Sequence, residues 1–184
     1  MAKRFKISDI PDLSGRTIFF DANIILYLFW PVYSKGNEPQ RYSSIFGKLC
    51  SNKNTMAINT FVLSEVINRV LRIELKNEDE KNKDKKNKKK IDFKSFRNSS
   101  KGKSVQKDIF DIIKNKILKY FQVIDKQLTI TDIKNMLTID RLDFNDKIIL
   151  DVCKAHNMIL LTHDADFKDT DIDILSANQK FQAR

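Results

Sequence analysis

Arg16-Thr17-Ile18-Phe19-Phe20-Asp21-Ala22-Asn23-Ile24-Ile25-Leu26 decides the fold. Its first half is short, rich in β-branched and aromatic residues, and apolar on both faces. That predicts a strand buried on both sides, ending on an acid. An apolar run over 24–30 follows and stops at Pro31. Outward from there, a second short strand is expected over 55–60. Met158-Ile159-Leu160-Leu161-Thr162 is a continuous apolar run of strand length, and a weaker strand is expected over 172–175. Helical periods lie between them: 41–50, 61–75, 104–121, 130–137 and 145–156. The last carries Ile148, Ile149, Val152 and Cys153 on one face, with Asn157 as a left-handed stop. Fully apolar strands alternating with helices predict an α/β fold whose parallel sheet is covered on both sides.

Size and composition set the frame. The chain has 184 residues, 41% of them apolar and 32% charged, enough for one domain with a sizeable core. The four glycines, Gly15, Gly36, Gly47 and Gly102, are too scattered for a phosphate-cradling loop, which excludes P-loop and dinucleotide-binding turns. His156 and His163 alone do not make a histidine-rich metal site. Cys50 and Cys153 fit reduced thiols, not a disulfide scaffold or a four-cysteine zinc site. The basic start is followed by Ser8, Asp9, Pro11 and Asp12 where a signal peptide needs an apolar core. The greasiest stretch, 18–30, holds Asp21 and Asn23 and is too short and polar to span a bilayer. A soluble, cytoplasmic protein with no membrane contact is expected.

The formal charge of +10 is unevenly spread. Residues 76–104 carry eleven Lys and one Arg against five acids, whereas 125–173 carry eleven Asp against six Lys or Arg. No apolar residue occurs from Lys76 to Lys90, so this stretch cannot bury a face. We read 76–104 as a basic, exposed and flexible insert in a single domain of 184 residues. Ile91-Asp92-Phe93-Lys94-Ser95-Phe96-Arg97 then alternates aromatic and basic residues. The functional reading is a nucleic-acid contact: Lys88, Lys89, Lys90, Lys94 and Arg97 on phosphates, with Phe93 or Phe96 stacking on an unpaired base. The plain reading is a solvated loop docked by its phenylalanines.

Ligands of open parallel sheets sit outside the carboxyl ends of the strands. Acids occur at the places this rule singles out. Asp21 ends the first strand, Glu65 follows the second, Asp146 opens the helix before the third, and Asp164 and Asp166 follow that strand. Most have plain explanations: Asp146 or Asp143 at a helix start, Asp164 and Asp166 in a turn, Glu65 paired with Arg69. Asp21 does not, because an unpartnered carboxylate among Phe19, Phe20, Ile24 and Ile25 costs several kcal/mol in desolvation. Converging carboxylates without His or Cys are hard oxygen ligands that suit Mg²⁺ or Mn²⁺. Lysines that hold a phosphate backbone beside acids that hold a metal describe a nuclease.

Four segments then become familiar. Phe19-Phe20-Asp21-Ala22-Asn23, Thr60-Phe61-Val62-Leu63-Ser64-Glu65-Val66, Leu142-Asp143-Phe144-Asn145-Asp146-Lys147-Ile148-Ile149 and Leu161-Thr162-His163-Asp164-Ala165-Asp166-Phe167 resemble, in order and spacing, the four motifs of a PIN domain. The resemblance covers residues 15–75 and 105–176, with the lysine-rich stretch as an insert. It implies a three-layer α/β/α sandwich with a central, mainly parallel sheet, acting as a metal-dependent endoribonuclease. By position, Asp21, Glu65, Asp146 and Asp164 would be the catalytic, metal-binding acids. Asp166 would be an accessory ligand, and Asn23 and Thr162 would orient the acids. Small PIN proteins of the VapC type are toxins that cut RNA and are silenced by an antitoxin, and PIN proteins commonly form homodimers. The rival readings are a nucleic-acid-binding protein that does not cleave, a phosphotransfer fold with Asp21 as acceptor, and the same fold acting on single-stranded or flapped DNA.

Overall fold

A computed structural model describes residues 2–34, 36–81 and 91–181. The chain divides into two compact units, Met1–Val62 with Phe121–Arg184, and Leu63–Tyr120.

The first unit is built on a sheet. Among the described residues its strands are β1 (Arg4–Phe5), β2 (Thr17–Phe20), β3 (Thr55–Ile58), β4 (Phe121–Val123), β5 (Ile159–Leu161) and β6 (Ile174–Leu175). They lie in the order β1-β6-β5-β2-β3-β4, and every neighbouring pair is parallel. The two central strands explain the parallel pairing. Ile18, Phe19 and Phe20 of β2, and Ile159, Leu160 and Leu161 of β5, are fully buried, so neither face of these strands tolerates water. The fold is the expected α/β/α arrangement with a mainly parallel sheet. Phe20 also meets the rings of Phe46 and Phe121 edge-on, at 6.2 and 4.9 Å between centroids.

Helices α1 (Ala22–Phe29) and α2 (Glu38–Ser51) belong to this unit. Asp21 caps α1, and Pro31 follows its end at Trp30. Helix α3 (Thr60–Lys81) leads into the second unit, which also holds α4 (Phe93–Asn98), α5 (Ser100–Ile112) and α6 (Leu118–Tyr120). Back in the first unit come α7 (Ile130–Met136) and α8 (Phe144–Ala155). Asn157 stands at φ 49° just after α8, as its sequence position predicts.

Three departures from the sequence reading have physical causes. The helix expected over 104–121 begins earlier, at Ser100, and passes through a π turn, Ile113–Ile117. The chain leaves α6 at Tyr120, so Phe121 begins β4 rather than ending a helix. Helix α3 runs beyond Leu75 to Lys81 with only polar residues in its last six positions, where Asp79 accepts from the Ile91 amide at 3.2 Å. The basic stretch read as a flexible loop over 76–104 is therefore helical wherever it is described, apart from its joints; residues 82–90 lie outside the described residues. β1 is too short to carry a periodicity. Arg4 fixes it by donating to the carbonyls of Lys168, Thr170 and Ile172 at 2.5–3.1 Å.

Candidate active site

Strand β2 continues to β3 and β4 on one side, while β5 and β6 lie on its other side. The chain thus reverses direction across the sheet between β2 and β5. A crevice opens outside the carboxyl ends of two strands at such a point. Asp21 follows β2 there, and Thr162, His163 and Asp164 follow β5. The Asp21 amide donates to the Leu161 carbonyl at 3.1 Å, which ties the two strand ends together.

Asp21 is 6% exposed, and its carboxylate is held on both oxygens. Oδ1 accepts from the Ala22 amide at 2.6 Å. Oδ2 accepts from Asn23 Nδ2 at 2.5 Å and from Thr162 Oγ1 at 2.6 Å. Three donors satisfy the lone pairs of this buried carboxyl group and fix its orientation. Asn23 Nδ2 also reaches Thr162 Oγ1 at 3.3 Å, and Asn23 Oδ1 accepts from the His163 amide at 3.3 Å. Thr162 Oγ1 in turn accepts from the Asp164 amide at 2.9 Å. One hydroxyl therefore couples the ends of both strands.

Asp146 enters from α8. Asp143 is the N-cap: its Oδ1 accepts from the Asp146 amide at 2.9 Å, and Asp146 Oδ2 accepts from the Asp143 amide at 3.2 Å. This reciprocal capping box fixes the helix start and the carboxyl of Asp146 together. Partial burial, then the charges of Asp143, Asp21 and Asp164, raise the Asp146 carboxyl to about 7. Asp164 caps the 3-10 turn Ala165–Asp169 and accepts from the Asp166 amide at 3.0 Å. Both Asp164 and Asp166 are exposed. Glu65 lies on α3 in the other unit, where it pairs with Arg69 at 3.3 Å.

Among the described residues, no three His, Cys, Asp or Glu side chains stand ready-made around a metal position. The carboxylates are turned instead to the caps and hydroxyl just described. Their chemistry nevertheless fits a hard divalent cation: every donor is a carboxylate oxygen, and the Asp146 carboxyl, raised by burial first and by neighbouring acids second, would be favoured in its charged form by a cation.

Several supporting residues have no signature in the sequence. Tyr42 is fully buried; its hydroxyl lies 2.9 Å from His163 Nδ1 and 3.3 Å from the Thr162 carbonyl. Burial pushes that hydroxyl up to about 12. Ser176 Oγ donates to the same Thr162 carbonyl at 2.7 Å, and Asn178 Nδ2 donates to the His163 carbonyl at 2.7 Å. Lys147 is 6% exposed and donates to Met136 O, Thr138 O and Thr138 Oγ1, with Asp140 at 3.0 Å. It pins the segment between α7 and α8 next to Asp146. Only a sequence offset that changes with the fold links these residues to the acids.

Of the expected nucleic-acid contacts, Lys94 and Arg97 are exposed on α4, and Lys88, Lys89 and Lys90 lie outside the described residues. The expected stacking residues serve a different purpose. Phe96 is 2% exposed, and Phe93 lies under the Arg72 guanidinium, 4.5 Å from its ring centre. Among the described residues, no helix is long and apolar enough to cross a membrane.

Comparison with known proteins agrees with this architecture. A family model, PIN domain, matches residues 18–173. A search of curated proteins finds no match. Among solved structures, one resembling this chain is described as the crystal structure of VapBC2 from Rickettsia felis bound to a DNA fragment from their promoter. It is 20% identical, covers 87% of this chain and 98% of that chain, and has a TM-score of 0.48. With the family model spanning all but the ends of the chain, and both strand ends of the crevice inside the match, the chain belongs to the PIN domain family of nucleases.

Proposed function

We propose that this chain is a metal-dependent endoribonuclease that hydrolyses phosphodiester bonds, acting as the toxin of a toxin–antitoxin pair. The observation that supports the reading is the hydrogen-bonded junction of Asp21, Thr162 and the Asp164 amide at the carboxyl ends of β2 and β5, with Asp146 raised by burial first and then by the charges of Asp143, Asp21 and Asp164. Asp21, Asp146 and Asp164 would hold Mg²⁺ or Mn²⁺, with Asp166 as an accessory ligand. A bound divalent cation supplies positive charge to the phosphodiester and lowers the pKa of water.

The chain's own groups do the rest. Thr162 and Asn23 hold the Asp21 carboxylate in place and set its orientation. The Asp143 cap sets the angle of Asp146. The Asp164 amide is anchored by Thr162, so the acids after β2 and β5 keep a fixed separation. In-line hydrolysis on such a site leaves a 5′-phosphate and a 3′-hydroxyl. An antitoxin partner and a homodimer complete the proposal, and both rest on the family alone.

The test is cleavage of pooled tRNA, rRNA and mRNA with Mn²⁺ or Mg²⁺ and with EDTA, followed by end-group analysis. We expect cutting that EDTA abolishes and fragments with 5′-phosphates. Cutting that persists in EDTA, or 2′,3′-cyclic phosphate ends, contradicts the mechanism. Cutting of single-stranded or flapped DNA with RNA left intact moves the same site to a different substrate.

A further inference from the structure

Positive charge is concentrated in the second unit. Leu63–Tyr120 holds eighteen Lys and Arg against nine Asp and Glu, a balance of +9 out of the chain's +10. The first unit, which carries the crevice, is almost neutral. From Asp92 to Lys119 alone, eight cations face three acids.

The α4–α5 segment also concentrates exposed cations that no acid partners among the described residues. In the first unit, Arg16, Lys126, Arg141, Lys147 and Lys154 all pair with aspartates at 2.7–3.2 Å. In the second, Lys94, Arg97, Lys101, Lys103 and Lys107 are exposed, and among the described residues none of them forms an ion pair. Unpaired cations at this density set up a positive potential that attracts an external polyanion.

These side chains stand on a rigid corner. Helix α4 meets α5 with Ser99 alone between them. Ser99 Oγ donates to the Phe96 carbonyl at 2.7 Å and accepts from the Gly102 amide at 3.1 Å. A Cβ on Gly102 would collide with the Phe96 carbonyl, so the two helices meet at a spacing only glycine allows. Gln106 Nε2 closes the corner on the Arg97 carbonyl at 2.8 Å. Phe96 is buried as the corner's anchor, and Arg72 covers Phe93. Phe96 is thus withdrawn from the surface of α4, and one face of Phe93 is taken by Arg72.

We propose that the α4–α5 corner docks the phosphodiester backbone of nucleic acid through Lys94, Arg97, Lys101 and Lys103. It does so without reading sequence, which leaves affinity to the second unit and chemistry to the first. The choice of a nucleic acid as the polyanion rests on the nuclease reading. The corner itself does not, because its binding is measurable without cleavage.

The experiment measures affinity for short single-stranded RNA and DNA of equal length, by fluorescence polarisation in EDTA, over about 50–200 mM NaCl. It uses the full chain carrying Asp146→Asn, with and without the joint substitutions Lys94→Gln, Arg97→Gln, Lys101→Gln and Lys103→Gln. A matched variant replaces four exposed cations of the first unit, Lys3, Lys48, Lys134 and Lys180, with Gln. Circular dichroism checks that both variants fold. Four lost phosphate contacts should flatten the salt slope by about 3, at roughly 0.7 per contact on a single strand. We expect that loss on RNA and DNA alike, and no comparable change in the matched variant. An unchanged slope in the corner variant, an equal loss in both variants, or a loss confined to one nucleic acid would overturn the proposal. So would a corner variant that loses binding only to phosphatidylserine vesicles.

Discussion

Asp146 shows how far a single side chain can depart from its ordinary chemistry. Its carboxyl is raised to about 7, first by burial and then by Asp143, Asp21 and Asp164. In the unfolded chain it titrates near 3.9. The folded state therefore holds a proton that the unfolded state releases, and stability falls as pH rises from about 4 through 7. Asp146→Asn removes that loss while keeping an acceptor for the Asp143 amide. In EDTA, urea unfolding should find the variant more stable than the parent at pH 8 by about 1–2 kcal/mol, discounted for partial exposure. The difference should vanish near pH 4. A variant less stable at pH 8 would contradict the crowding of acids. At this scale the sequence is most legible where chemistry is least comfortable: Asp21 stands out as a charge in an apolar run. Tyr42, Ser176, Asn178 and Lys147 could not be picked out, because their partners are chosen by the fold and a buried tyrosine or serine looks ordinary in a sequence.

Elements were legible in proportion to their length and the purity of their pattern. β2, β5 and α8 were readable because their apolar residues are packed on both faces or on one stripe. β1 spans two residues and left no pattern, β6 showed only as the weak strand over 172–175, and β4 begins in what reads as a helix. The α4–α5 corner escaped notice within a lysine-rich stretch, although Gly102 marks it. Gly102→Ala forces a methyl group onto the Phe96 carbonyl. Overpacking of this kind costs about 1–3 kcal/mol. Thermal unfolding with limited proteolysis should show a lower midpoint and faster cutting between residues 91 and 103. An unchanged midpoint and digest would mean that the corner flexes.

At the scale of the whole molecule, the parallel sheet follows from the apolar strand patterns visible in the sequence, whereas the order of its strands, β1-β6-β5-β2-β3-β4, does not. The separation of charge does not follow from pattern alone. Divided by unit, Leu63–Tyr120 carries a balance of +9, and the rest of the chain is almost neutral. Joining the two requires the crevice between β2 and β5 to be the place where phosphodiesters are cut, and Asp21 is the residue most deeply committed to it. The most direct measurement is single-turnover cleavage of RNA by the parent and by Asp21→Asn in Mn²⁺, with unfolding midpoints recorded on the same samples. Cleavage falling at least about a thousandfold in a folded variant is the predicted result, as for loss of a group that acts in the transition state. Full cleavage by folded Asp21→Asn would place the chemistry elsewhere and contradict the assignment of this site.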